Sequence, residues 1–136
     1  MRFLTLYKPG VEGGSPPTEQ EMADMGQLIE EMTKAGTLIA TGGLLPSAKG
    51  ARVRYDGGKM TVTDGPFAET KELVGGYAVI EAKSKAHAIE LTKRFLSVVR
   101  GGESEVREMW DAPTPPAGVA GSRAAGKQAQ KNMAKR

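Results

Sequence analysis

The chain has 136 residues, enough for one domain with a real core and too few for two independent ones. It has no cysteine and one histidine, His87, which excludes disulfides, a thiolate nucleophile, iron–sulfur clusters, Cys-based zinc sites and multi-His metal sites. The formal charge of +3 hides an asymmetry: residues 1–111 hold 14 of the 19 Lys/Arg and all 16 Asp/Glu, a net −2, whereas residues 112–136 hold five basic residues and no acid.

Arg2 to Tyr7 reads as a strand, with Phe3, Thr5 and Tyr7 on one face and Leu4 and Leu6 on the other. No apolar h-region precedes it, so no signal peptide is read, and no run approaches the ~20 apolar residues of a membrane span. A cytoplasmic protein is expected. A Pro9-Gly10 turn and the stretch Gly13 to Pro17 form a loop. Thr18 with Glu21 is a capping box ahead of Met22, Met25, Leu28, Ile29 and Met32, an apolar stripe at helical spacing. This predicts a helix over Thr18–Ala35, closed by Gly36, with its methionines as core filler.

Thr37 to Leu45 reads as a second strand ending at Pro46. Arg52–Tyr55 and Met60–Thr63 alternate around Asp56-Gly57-Gly58 and predict a β-hairpin. Gly75–Ala82 is a further strand. Ser84 caps a second helix reaching Val99, with His87 a surface residue of its first turn, and Glu105–Trp110 is a last strand. The order β-α-β, hairpin, β-α-β predicts an α+β, ferredoxin-like split βαβ fold with an inserted β-hairpin and both helices on one face of an antiparallel sheet. Apolar residues on the strands' other face predict a homodimer. Residues 112–136, rich in Pro, Gly, Ala and Lys, are expected to be a disordered basic tail outside the 1–111 domain. Nucleic-acid binding is disfavoured beyond weak contact through that tail, because the body is net negative and lacks a basic recognition helix.

The densest polar constellation is Asp64 to Tyr77. Asp64 ends a strand, where its carboxylate can accept backbone N–H bonds, and Gly65-Pro66 turns the chain. Glu69, Lys71 and Glu72 follow closely, so neighbouring charges can tune a carboxylate for acid/base work. A turn motif with a solvated charge run explains the same residues. Arg52 and Arg54 share one hairpin face, readable as an anion site or as a solvated edge. Tyr7 and Tyr77 face either a pocket or the core. Gly42-Gly43 and Gly57-Gly58 lack phosphate-loop spacing.

Asp64-Gly65-Pro66-Phe67, with Glu69-Thr70-Lys71-Glu72 and Gly75-Gly76-Tyr77 after it, resembles the signature of the DGPF branch of the YCII-related family. Leu44 to Pro46 and Glu105-Val106-Arg107 extend the resemblance, which covers about residues 1–111. It implies a dimeric α+β barrel. It also implies a link to extracytoplasmic-function sigma factors, beside which DGPF members are often encoded. Shorter YCII relatives are proposed to act through a His–Asp pair, which this chain does not reproduce because its only histidine is His87.

Three function classes stand. The favoured one is a small-molecule binder or enzyme using cofactor-free acid/base chemistry in a pocket of the dimer barrel. Its candidate catalytic residues are Asp64 and Glu69, and its candidate substrate-binding residues are Tyr7, Arg54, Phe67, Lys71 and Tyr77. The others are a regulatory module linked to sigma-factor signalling and a purely structural dimer.

Overall fold

The computed structural model describes residues 1–12, 14–69 and 72–110. The expected tail and Lys71 lie outside them. The elements in chain order are β1 (Arg2–Lys8), α1 (Glu19–Lys34), β2 (Leu38–Gly43), a 3-10 turn (Ser47–Lys49), β3 (Ala51–Asp56), β4 (Lys59–Asp64), β5 (Gly76–Glu81), α2 (Lys85–Val99) and β6 (Glu103–Glu108). An antiparallel sheet runs in the order β2-β5-β1-β6, and β3-β4 form a separate two-stranded ribbon. This is the ferredoxin-like α+β fold with the hairpin inserted between its two βαβ-type halves. Among the described residues, no helix is long and apolar enough to cross a membrane.

Local chemistry sets the helix ends. Thr18 Oγ1 accepts the Glu21 N–H at 3.1 Å, and Ser84 Oγ accepts the His87 N–H at 3.1 Å, each satisfying a first-turn donor. His87 lies partly exposed in the first turn of α2, and its Nδ1 accepts the Lys83 N–H at 3.0 Å. The core lies between the helices and one sheet face: Phe3, Ile80 and Ala82 from the strands meet Leu28 and Met32 of α1 and Ala88 and Leu91 of α2. Phe3 is 1% exposed, and burying such a ring contributes about 3 kcal/mol.

Two features differ from the sequence reading, and a third lies in strand register. Met22, expected in the apolar stripe, is exposed, while Met25, Leu28 and Met32 face the core and Ile29 faces the half-open rim of the space beneath α1. The last strand starts at Glu103, since Lys8 and Tyr7 continue pairing as far as Glu103 and Ser104, and it ends before Trp110. Within β2 the register shifts between Leu38 and Ala40, so Thr41 and Gly43, not Ala40 and Gly42, share the helix face with Ala78 and Gly76. The opposite sheet face carries the rows Leu4–Val79 and Leu6–Tyr77, uncovered by any described element.

Candidate functional site

Two places could carry function: a cavity under the helices, and the root of the hairpin. The cavity, ≈ 370 Å³, opens between α1, α2 and the sheet. Its origin is visible in the strand register. On the helix face, the rung Phe3–Ile80–Leu38 is filled by large side chains, while the next rungs are Thr5–Ala78–Thr41 and Tyr7–Gly76–Gly43. Small residues there leave the floor low, and Met25, Ile29 and Phe95 wall the space above it. Tyr7 fills its end of the last rung by turning toward α2. Its ring meets Phe95 edge-on at 5.3 Å, and its hydroxyl donates to the Gly101 carbonyl at 3.0 Å. Among the described residues, no charged side chain lines the cavity.

At the hairpin root, Gly65 lies so close to the 3-10 turn that a Cβ on it would overlap the Ser47 carbonyl. No side chain fits there. The Gly65 N–H donates to the Gly50 carbonyl at 3.0 Å, and the Phe67 N–H donates to Ser47 Oγ at 3.2 Å. Ser47 is held in turn by Glu12, whose carboxylate accepts the Ser47 N–H at 2.6 Å and the Ser47 hydroxyl at 2.7 Å. The Arg52 guanidinium sits 3.9 Å above the Phe67 ring and reaches Glu69 Oε2 at 3.5 Å. Glu72 turns the other way to Lys8 Nζ at 3.6 Å, and Lys8, only 17% exposed, also meets Glu105 at 3.5 Å. The run of carboxylates is thus divided between two cations on different elements.

The structure therefore separates the sequence-predicted residues. Tyr7 and Tyr77 border the cavity, although Tyr77 alternates onto the uncovered face, its ring packed against Gly42. Asp64, Phe67 and Glu69 are at the hairpin root, with both carboxylates exposed, and no side-chain hydrogen bond to Asp64 occurs among the described residues. Arg54 lies on the hairpin's polar face in a shallow groove with Arg52, Thr61 and Thr63. Sequence reasoning missed Glu12 and Ser47 as tethers, and Thr5, Thr41 and Ala78 as cavity floor. Ser47 after Pro46 is a turn signal; nothing in the sequence marks Glu12.

A family model described as the YCII-related domain matches residues 1–112. Over 75 residues the chain is 33% identical to an uncharacterised protein of Rhizobium meliloti (strain 1021), a match covering 55% of this chain and 60% of that relative. The chain thus spans less than two thirds of the relative's length. Since the family match runs through both βαβ-type halves and the hairpin between them, the chain belongs to the YCII-related family.

Proposed function

We propose that this protein, as a member of the family's DGPF branch, binds a small molecule in the cavity between its helices and sheet, within a homodimer whose uncovered sheet faces meet. One observation carries the reading: the cavity of ≈ 370 Å³ has an almost wholly apolar wall. Its volume falls in the range that encloses small-molecule ligands, and a cavity of that size forgoes packing contacts that a ligand restores. The rows Leu4–Val79 and Leu6–Tyr77 support the dimer, since twofold sheet packing removes them from water.

Cofactor-free acid/base turnover by Asp64 or Glu69 is the catalytic extension of this reading. Neither residue lines the cavity, so turnover requires a hairpin root to approach a cavity mouth. Thermal-shift screening of neutral and acidic metabolites against the wild type and Ala78→Leu, which raises the cavity floor, tests the binding. At least one compound is expected to stabilise only the wild type; a screen without such a compound sinks the proposal. Asp64→Asn and Glu69→Gln, assayed with that compound, separate the cases: lost turnover with unchanged affinity supports catalysis.

A second reading, a regulatory module bound to an extracytoplasmic-function sigma factor, is favoured by the hairpin's apolar face. Val53, Tyr55, Met60 and Val62 there are each 64–67% exposed. Titration of such a sigma factor with wild type and Tyr55→Ser decides it: binding weakened by the substitution supports it, and no binding removes it.

A further inference from the structure

Resting on the cavity reading above, we infer that the ligand is a neutral, predominantly aromatic or aliphatic molecule that donates a hydrogen bond, such as a phenol or aryl amine, and that anions are rejected. Among the described residues, the wall contains no Lys, Arg, His, Asp or Glu. A carboxylate or phosphate entering it would give up hydration with no cation to replace it, a heavy desolvation cost.

The hydroxyls in the wall narrow the class further. Each carries one proton and two acceptor lone pairs. Thr92 donates its proton to the Ala88 carbonyl at 2.8 Å, Tyr7 to Gly101 at 3.0 Å, Thr41 to Tyr77 at 3.0 Å and Thr5, more loosely, to Ala78 at 3.4 Å. With their protons committed to the backbone, these groups present lone pairs. Tyr77 has the one lining hydroxyl without such an acceptor among the described residues, and its ring lies on the other face of the sheet. At the rim, the Gly75 N–H is taken by the Tyr7 carbonyl at 2.7 Å. Among the described residues, and apart from the Tyr77 hydroxyl on the far side of the sheet, the cavity therefore offers side-chain acceptors and no free side-chain donor. Thr5 and Thr41, flanking Ala78 on one rung, form its polar stripe. A ligand that brings its own donor satisfies them, whereas an acceptor-only ligand leaves lone pair facing lone pair.

The test uses the full chain and N-phenyl-1-naphthylamine, a neutral aryl amine that fluoresces in apolar surroundings, displaced by 2-naphthol, 2-methoxynaphthalene and 2-naphthoate. The fluorophore is expected to bind and 2-naphthol to displace it. The methyl ether should compete about tenfold more weakly, and naphthoate not measurably, as expected where a polar partner is left unmatched. Thr41→Val, at an exposed rim position, should narrow the gap between naphthol and its ether. Ala78→Leu should abolish binding, and Ile29→Trp, at the half-open rim, provides a second block should Ala78→Leu not fold. Naphthoate or the ether competing as well as naphthol, with both blocks still effective, overturns the ligand class and leaves the cavity site standing. Fluorophore binding that neither block affects, or none to the folded wild type, overturns the site itself. The same holds if the fluorophore fails to bind and Ile29→Trp dissociates a dimer, since a second copy then fills the space.

Discussion

The sheet under the helices and the β3–β4 ribbon are built from the same alternating pattern and come to opposite ends. In β1, Phe3 alternates inward and is 1% exposed; in the ribbon, Val53 and Tyr55 alternate in the same way and remain 67% exposed. Cross-strand pairs Val53–Val62 and Tyr55–Met60 stripe one ribbon face with apolar side chains, while Arg52–Thr63, Arg54–Thr61 and Asp56–Lys59 occupy the other. Alternation specifies a strand, whereas burial needs a second layer, and among the described residues only the four-stranded sheet has one. A two-stranded ribbon is marginal by itself, so its shape depends on its two ends. At the tip, Gly57 and Gly58 take φ of +57° and +82°, the two left-handed residues of a tight primed turn. At the root, Gly65, Ser47 and Glu12 form the anchor.

The largest expected effect sharpens the sheet side of this comparison. Phe3→Ala should cost about 3–5 kcal/mol in denaturant unfolding, as a buried aromatic truncated in a packed core does. A loss below 1 kcal/mol would mean the helix layer is not what holds this sheet. Next is Gly65→Ala, where the new methyl meets a backbone carbonyl that cannot rotate away. Overpacking of that kind costs about 1–3 kcal/mol, and here it should fall on the root. Hydrogen exchange is expected to show residues 51–64 losing protection while β1 and β5 keep theirs. Uniform loss across both regions would show that ribbon and sheet unfold together.

Ser47→Ala comes third. It removes the acceptor of the Phe67 N–H and one of the two donors to Glu12, and should cost about 1–2 kcal/mol. Glu12→Ala in the same background should add less than it does in the wild type, because the two residues act as one tether. Full additivity by chemical denaturation would dissolve the tether.

Most of the architecture was legible because local chemistry dictates it. Thr18 with Glu21, Ser84 before its helix and the Asp-Gly-Gly turn each act within a few residues, and each stands where the sequence places it. The polar stripe of the cavity was not legible, for a reason that lies in register. Alternation counted from Leu38 puts Ala40 and Gly42 toward the helices; the shift after Leu38 substitutes Thr41 and Gly43. Nothing in Leu38-Ile39-Ala40 announces that irregularity, which exchanges Ala40 for Thr41 beside Ala78 and so makes the floor polar, while a glycine faces Gly76 in either register. The Asp64–Phe67 run was visible as a motif, but its partners Glu12 and Ser47 come from distant loops. Three of its four residues answer to geometry: Gly65 to the Ser47 carbonyl, Pro66 to the turn, and Phe67 to Ser47 and Arg52.

The smallest expected effect tests the ribbon most directly. Val53 and Val62 face each other at 67% and 64% exposure, so exchanging both for Thr removes little buried area and keeps the β-branched shape that suits a strand. In the isolated chain the stability change should stay within about 0.5 kcal/mol, the range of surface substitutions. The same four-residue face is, however, a contiguous run of apolar side chains each 64–67% exposed, unusual for a surface that meets only water. If it contributes to the proposed homodimer, the double variant should weaken self-association by at least about tenfold, read by sedimentation velocity over a dilution series, because apolar contacts buried at an interface are lost together. Melting temperature at high concentration then falls with the loss of dimer, since association stabilises by mass action, and converges on the wild type once both are dilute enough to be monomeric. A stability loss above 1 kcal/mol that persists at full dilution would place the valines in a monomer core and remove the distinction between ribbon and sheet. Unchanged self-association would instead restrict any dimer contact to the uncovered sheet face and leave the ribbon to a different partner.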